Sequence, residues 1–229
     1  MTSRLTIAID GPSGSSKSSV SRAVARRLGV GYLDTGAMYR ALTWWCLDRG
    51  LDLTDQDAVA AAARDLPLQL GTDPTTASVR VDGTDVTEAI RTTEVSTAVS
   101  AVATNPLVRP VLQRLQRDLM ARVAEQSGGV VAEGRDITTV VAPDARVRVL
   151  LTASEDARLR RRSAELHGTA DAQAVEATRD QVVRRDRDDS TVSTFTEAAE
   201  GVVLVDTSEL DFDESVEAVL DVVAAQTSE

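Results

Sequence analysis

A motif near the start of the chain has the residue types and the spacing that bind phosphate groups. It follows an apolar run over residues 5–9, opens a segment of helical periodicity, and reads Gly11-Pro12-Ser13-Gly14-Ser15-Ser16-Lys17-Ser18-Ser19. In such a loop, backbone N–H groups and the start of the helix surround a phosphate group. The ammonium group of Lys17 fits between the β- and γ-phosphates, and the hydroxyl of Ser18 is a ligand for Mg²⁺. We therefore predict that residues 11–19 bind the phosphates of a nucleotide.

The motif departs from the usual pattern at one position, because glycine commonly precedes the lysine and this chain has Ser16. Glycine permits backbone angles and a close approach of the ligand that a Cβ atom obstructs. Two alternatives follow from the sequence. Either the loop tolerates serine with a small adjustment, or its affinity for the nucleotide is reduced.

Lys17 is the only lysine, so 24 of the 25 basic residues are arginines. A GTPase is excluded, because its guanine-binding Asn-Lys-x-Asp motif requires another lysine. Large helicases and transporter ATPases usually have a later apolar strand that ends in Asp or Asp-Glu. The corresponding strand here ends Val131-Ala132-Glu133-Gly134-Arg135-Asp136, which does not match that pattern. A small-molecule kinase, which needs several arginines to neutralise two sets of phosphates, is the favoured interpretation.

Composition limits the class of protein further. The chain has 229 residues, of which 42% are hydrophobic and 27% charged, so we expect one large folded domain or a core domain with insertions. A net charge of −11 argues against a general nucleic-acid binder. No apolar run approaches the roughly 18 residues of a membrane span. The single cysteine, Cys46, fits a reducing cytoplasm and core packing.

Short apolar runs alternate with segments of helical periodicity along most of the chain, which predicts a parallel sheet covered by helices on both faces. Residues 51–95 differ, because they are polar and broken by prolines and glycines, and they are interpreted as an insertion with one small strand and turn. Residues 158–187 contain eight arginines and five acidic residues, which indicates a local anion site in an otherwise acidic chain.

Four segments together resemble the bacterial cytidylate kinases, in order and with the family's spacing. They are residues 11–19, Asp34-Thr35-Gly36-Ala37-Met38-Tyr39-Arg40, Gly134-Arg135-Asp136 and Arg185-Asp186-x-x-Asp189-Ser190-Thr191. The end of the insertion, residues 85–91, shares the resemblance, which covers nearly the whole chain.

The resemblance implies an α/β fold of the P-loop NTPase type, with an adenylate-kinase-like five-stranded parallel sheet flanked by helices, an enlarged NMP-binding insert and a helical lid. The implied division is a core of residues 1–36, 96–153 and 190–229, an NMP-binding region of residues 37–95 whose insert spans about 51–95, and an Arg-rich lid of residues 154–189. The implied protein is a cytoplasmic monomer that binds neither nucleic acid nor membrane.

The implied reaction transfers the γ-phosphoryl group of ATP to CMP or dCMP, with Mg²⁺ at Ser18 and an ordered water at Asp34. The resemblance places the cytosine base near Thr35, Arg109 and Asp136, and a carboxylate suits the N4 amino group. It places the pentose at Ser100, Arg185 and Asp189, and the acceptor phosphate at Arg40 and Arg135, with Tyr39 in the same site. It matches Arg158, Arg161 and Arg162 to lid arginines that act with Lys17 on the transferring group.

The sequence also differs from the family pattern at two further positions. Thr35 replaces a common serine and keeps the hydroxyl. Val192 replaces an arginine, so either one substrate contact is missing or Arg184 or Arg187 takes its place. Two other functions remain open at this stage: a kinase for UMP, AMP or a non-nucleotide acceptor, and a nucleotide sensor without catalysis.

Overall fold

A five-stranded parallel sheet forms the centre of the computed structural model, which describes residues 4–228 without the side chains of residues 166, 167, 180, 181 and 185. The first half of the chain forms, in order, β1 (Leu5–Asp10), α1 (Lys17–Leu28), β2 (Gly31–Asp34), α2 (Thr35–Asp48), α3 (Gln56–Arg64), β3 (Leu68–Leu70), β4 (Val79–Val81), β5 (Thr84–Asp85), a 3-10 turn (Ala89–Arg91) and α4 (Thr93–Ala103). The second half forms α5 (Val108–Ser127), β6 (Gly129–Gly134), a π-helical turn (Ile137–Val141), β7 (Val147–Thr152), α6 (Glu155–His167), α7 (Ala172–Ser190), β8 (Val203–Asp206) and α8 (Phe212–Thr227).

The strands of the main sheet lie in the order β2-β6-β1-β7-β8, and all of their pairings are parallel. The register places Asp10 beside Gly134 and Asp34 beside Glu133. All carboxyl ends therefore meet at one edge of the sheet, where α/β proteins bind their ligands. The predicted α/β fold with five parallel strands is confirmed.

Both faces of the sheet are covered, because the side chains of β1 alternate between two apolar layers. Ile7 and Ile9 pack with Val20 and Val24 of α1 and with the apolar face of α8. Ala8 packs on the opposite face in a layer that includes residues of α5. These unbroken apolar strands are typical of a buried parallel sheet, as the sequence predicts.

The segment of residues 51–95 builds a small layer of its own. Its strands β3, β4 and β5 form an antiparallel sheet that is separate from the main one. The buried residues Val79, Val81 and Ile90 pack into one cluster with α2 and α5. The predicted small strand and turn are present, whereas α3 and α4 were not anticipated from the sequence.

The Arg-rich segment folds into two helices, α6 and α7, which pack against each other. The side chains of Ser154 and Asp171 cap their starts by accepting hydrogen bonds from the N–H groups of Ala157 and Ala174. The side chain of the only histidine, His167, lies outside the described residues. Cys46 is fully buried in the α2 cluster, which agrees with its predicted packing role. Across residues 4–228, none of the helices has the length and apolar character that a bilayer crossing requires.

A buried carboxylate at the end of β1 holds the segment that follows β6. Asp10 is 1% exposed and accepts hydrogen bonds from the N–H of Ile137 (3.0 Å) and from the N–H (2.7 Å) and Oγ1 (2.6 Å) of Thr138. Burial raises the pKa of Asp10 to about 6, although these hydrogen bonds act in the opposite direction. The π-helical turn after β6 is thereby fixed to the start of the phosphate-binding loop.

This pKa makes the stability of the protein depend on pH with a definite sign. The folded protein binds the Asp10 proton more tightly than the unfolded chain, so the stabilisation is greatest at low pH and is lost as the pH rises through about 6. Relative to Asp10→Asn, the wild-type free energy of unfolding should fall by about 1 kcal/mol between about pH 5.5 and 7.5. Urea unfolding at several pH values measures this difference. The control is Asp118→Asn, a change at an exposed position. If the free energy of unfolding of the wild type relative to Asp10→Asn stays constant or increases with pH, the raised pKa of Asp10 is contradicted.

Candidate active site

The predicted phosphate-binding loop connects β1 to α1 and forms one wall of an open cleft of about 790 Å³. Its backbone is tightly enclosed. Gly14 has φ +78°, and a Cβ atom there would lie 2.5 Å from the carbonyl oxygen of Arg158 on α6. Ser15 is buried and donates to the carbonyl oxygen of Pro12 at 3.0 Å. The glycine is therefore required both by its backbone angle and by the approach of α6.

Ser16, the residue in place of the usual glycine, adopts a left-handed conformation with φ 60° and ψ 13°. Serine is accommodated here, at the start of α1, without a cap hydrogen bond from its side chain. A left-handed conformation costs an L-amino acid with a Cβ atom roughly 1 kcal/mol or more. The loop therefore tolerates Ser16 at the cost of backbone strain.

Glu133, at the end of β6, is the carboxylate that organises the loop's functional side chains. Its side chain is 3% exposed and pairs with the ammonium group of Lys17 at 2.8 Å. It also accepts hydrogen bonds from the hydroxyl of Ser18 at 2.6 Å and from the hydroxyl of Tyr32 at 3.1 Å. Glu133 is not identifiable from the sequence alone, because its motif differs from the strand ending in Asp or Asp-Glu. The sheet order nevertheless places it at the end of the strand beside β1, next to the loop.

Asp34, at the end of β2, forms a second acidic centre in the cleft. It accepts hydrogen bonds from the N–H of Ala37 at 2.7 Å and from Nη2 of Arg40 at 2.9 Å. Burial alone raises the pKa of this carboxyl group, but the charge of Arg40 and the N–H of Ala37 outweigh burial and lower it overall. Asp34 is therefore held ionised, and Arg40 is fixed facing the same cleft.

A smaller cavity of about 50 Å³ opens beside the cleft. Its walls contain six of the residues expected to bind the acceptor: Thr35, Tyr39, Arg109, Arg135, Asp136 and Asp189. Arg40 lines the larger cleft instead. Ser100 lies on α4 between the lining residues Val99 and Ala103 but is not itself among the described lining residues. The side chain of Arg185 lies outside the described residues.

Asp136 is the most enclosed charge of this smaller cavity, with 6% of its side chain exposed. Its Oδ2 atom accepts hydrogen bonds from Nη2 of Arg109 at 2.7 Å and from Nε2 of Gln113 at 2.8 Å. The neighbouring Tyr39 hydroxyl is buried, and burial together with the charge of Asp136 raises its pKa. Thr35 donates its hydroxyl proton to the carbonyl oxygen of Glu133 at 2.7 Å, so its oxygen can only accept from a ligand.

Asp186 joins the Arg-rich helices to the phosphate-binding loop. It accepts a hydrogen bond from the N–H of Ser13 at 3.0 Å and forms ion pairs with Arg135 at 3.2 Å and with Arg158. Arg135 also pairs with Asp189 at 3.1 Å. Asp186 lies within the motif of residues 185–191, whose pattern alone assigns it no role.

The arginines expected to act from the lid do not share one environment. Arg158 donates to the carbonyl oxygen of Ser13 at 2.9 Å, and Arg162 lines the large cleft. Arg161 points elsewhere, because its guanidinium group donates to Oγ1 and the carbonyl oxygen of Thr207 and to the carbonyl oxygen of Leu210. These hydrogen bonds connect α6 to the loop after β8, and Arg161 is not among the described residues that line the large cleft.

The departure at position 192 has a visible consequence. Val192 lines the smaller cavity, where it offers no hydrogen bond. Arg184 is exposed, and Arg187 is 75% exposed at the side chain and lies 3.7 Å from Asp188. Neither arginine is among the described residues that line the smaller cavity.

A magnesium site fits the donors that the cleft offers. No group of three or more His, Cys, Asp or Glu side chains in the described part of the chain is arranged to hold a metal. Mg²⁺ commonly takes one or two protein oxygens and completes its shell with phosphate oxygens and water. The Ser18 hydroxyl, with Glu133 beside it at 2.6 Å, provides such oxygen atoms at the loop.

The strand order, the loop between β1 and α1 and the cleft at the carboxyl edge define a P-loop kinase fold. The family model "Cytidylate kinase" matches residues 7–225. A cytidylate kinase of Cutibacterium acnes is 51% identical, over 97% of this chain and 97% of its own. A cytidylate kinase of Streptomyces avermitilis is 50% identical, over 95% of this chain and 91% of its own. The chain belongs to the cytidylate kinase family.

The strain at Ser16 predicts that one serine-to-glycine exchange stabilises the protein. Ser16→Gly removes the energetic cost of the left-handed conformation, because glycine has no Cβ atom. The greater conformational freedom of glycine in the unfolded chain offsets only part of this stabilisation. We expect the free energy of unfolding to rise by about 0.5 kcal/mol. The control is Ser19→Gly, because Ser19 is exposed within α1, where glycine should destabilise by roughly 0.5 kcal/mol. Chemical denaturation measures both, and a loss of stability in Ser16→Gly would refute the strain.

Proposed function

We propose that this chain transfers the γ-phosphoryl group of ATP to CMP or dCMP and releases ADP with CDP or dCDP. The observation that carries the proposal is the continuity of the two cavities. Gly36, Gly134 and Arg135 line both the large cleft at the phosphate-binding loop and the smaller cavity around Asp136. A donor phosphate in the cleft and an acceptor nucleotide in the smaller cavity would therefore meet at these three residues.

The donor side of the reaction belongs to the phosphate-binding loop. Residues 11–19 would surround the phosphates of ATP with backbone N–H groups, and Lys17 would place its charge between the β- and γ-phosphates. Ser18 would hold Mg²⁺, which neutralises charge on those phosphates, while Glu133 and Asp34 order its water ligands. Glu133 already holds Lys17 and Ser18 in position.

The acceptor side follows from the charges around the smaller cavity. Asp136 would accept from the N4 amino group of cytosine, while Arg109 and Thr35 lie at the same wall. Asp189, with Ser100 and Arg185 of the family pattern, would hold the pentose. Arg40 and Arg135 would bind the acceptor phosphate, since Arg135 lines both cavities and Arg40 lines the cleft next to the shared residue Gly36.

The transfer itself depends on position and charge. The attacking oxygen belongs to a phosphate that is already ionised, so no general base is required. Lys17, Arg158 and Arg162 would neutralise the charge that spreads over the transferring group. Arg161 would join them only after its guanidinium group gives up its hydrogen bonds to Thr207. The monomeric state and the cytoplasmic location are part of the same proposal.

A lysine-to-arginine exchange tests the donor site. Lys17→Arg keeps the charge that pairs with Glu133, so the fold should be retained, but the planar guanidinium does not fit between the two phosphates. We expect kcat to fall on the order of 10³-fold. The matched control is Arg27→Lys, the reverse exchange on the exposed face of α1. Turnover of Lys17→Arg at the wild-type rate, measured by ADP release, would remove Lys17 from the reaction.

An acceptor panel tests the other site. ADP release is measured with ATP, Mg²⁺ and CMP, dCMP, UMP, AMP or no acceptor, and turnover should be strong with CMP and dCMP alone.

Asp136→Ala should raise the KM for CMP more than tenfold, because a hydrogen bond to a charged group is lost, and change the KM for ATP less than about twofold. Asp118→Ala, on the exposed face of α5, is the control. Equal effects on both KM values would place Asp136 outside the acceptor site. Strong turnover with UMP or AMP would show that the acceptor is not specifically a cytidine nucleotide.

A further inference from the structure

One oxygen of the Asp136 carboxylate is occupied by two donors from a single helix. Both Arg109 and Gln113 donate to Oδ2, at 2.7 and 2.8 Å. Among the described residues, none of the hydrogen bonds ends on Oδ1. Asp136 itself lines the smaller cavity. One carboxylate oxygen is therefore fixed by protein, and the other is left to accept from a ligand.

Arg109 and Gln113 differ in their other contacts. Arg109 lines the cavity and also donates to the carbonyl oxygen of Ala103 and to Oγ of Ser193, both at 3.2 Å. Gln113 is not among the described residues that line the cavity, and its amide donates to Asp136 only. Arg109 faces the space that the base would occupy, so a bound base could compete with Asp136 for its N–H groups. Gln113 does not face that space, so its hydrogen bond to Asp136 has no such competitor.

The local geometry makes this arrangement rigid. Arg109 and Gln113 are four residues apart on α5, so they project from the same face of one helix. That helix is anchored in the core by Leu112, Met120 and Val123, which are at most 5% exposed. Val192 also lines the cavity, and its side chain offers no donor. The orientation of Asp136 therefore depends on α5.

We propose that Gln113 is a positioning residue that sets the selectivity of the acceptor site for cytosine over uracil. By holding Oδ2, its amide keeps the lone pairs of Oδ1 directed into the cavity. Cytosine presents an amino donor at position 4 of the ring, whereas uracil presents a carbonyl acceptor there. A fixed carboxylate oxygen accepts from the first and repels the second, while a carboxylate that rotates would penalise uracil less. The proposal rests on the proposed function.

Two variants of Gln113 separate the donor from the shape of the side chain. Gln113→Leu removes the donor, and Gln113→Glu keeps the shape but places an acceptor beside Oδ2. We expect the ratio of kcat/KM for CMP to that for UMP to fall about tenfold in Gln113→Leu and further in Gln113→Glu. The loss should lie in the KM for CMP, and the KM for ATP should be unchanged. Gln126→Glu is the matched control, since Gln126 is exposed on the same helix about 20 Å away.

The outcomes distinguish this proposal from a packing role and from failure of the proposed function. If Gln113 only fills space, Gln113→Glu retains the wild-type ratio, which would overturn the proposal. Equal losses for CMP and UMP would overturn it as well. If the wild-type protein does not prefer CMP over UMP, the proposed function itself fails, whatever the variants do. Thermal unfolding of each variant verifies the fold, and Gln113→Glu, as the isosteric change, keeps the test valid if Gln113→Leu does not fold.

Discussion

Pairing of buried charges is the interaction on which the whole site depends. Lys17, Arg109, Arg135 and Arg158 have side chains between 13% and 16% exposed, and each contacts a carboxylate. A cation this far from water keeps its charge at low cost only when an anion with good geometry replaces the lost hydration. The partners Glu133, Asp136, Asp189 and Asp186 are themselves at most 15% exposed, so each cation in turn compensates its carboxylate. The removal of either member leaves the other buried and unpaired, which is why functional side chains here also contribute to stability.

These pairs exist because of the order of the strands. β6 lies between β1 and β2, so Glu133 at its end faces the loop that follows β1 and stands beside Asp34 at the end of β2. Arg135 and Asp136, directly after β6, line the smaller cavity, and Asp10 fixes the turn beyond them through Ile137 and Thr138. One strand and its following turn thus serve both halves of the site. A rigid connection of this kind is what a reaction needs when it depends on the relative position of two bound molecules.

The sequence predicts the local parts of this arrangement and misses the distant pairs. The phosphate-binding loop could be identified because its glycines, Lys17 and Ser18 form one continuous segment with a known mechanism. The five parallel strands followed from unbroken apolar runs between helical segments. Glu133 was missed because its partner Ser18 lies 115 positions away, and only the strand order brings them together. The contact of Asp186 with Ser13 spans 173 positions. Arg161 illustrates the same limit, since a run of arginines on one helix does not show that one of them contacts Thr207 in this structure.

Asp186 explains how such a site remains intact before nucleotides bind. Its carboxylate accepts from the N–H of Ser13 and contacts Arg135 and Arg158, all of which the proposed reaction assigns to phosphate. A phosphate group entering the cleft would therefore exchange one anion for another, and the arginines would already be oriented and stripped of most of their water. Binding then costs less side-chain entropy and less desolvation than it would at a flexible, solvated cluster. Asp186 lies on α7, its partner Arg158 lies on α6, and its third contact, the N–H of Ser13, lies in the phosphate-binding loop. A single carboxylate thereby connects both Arg-rich helices to the phosphate-binding loop.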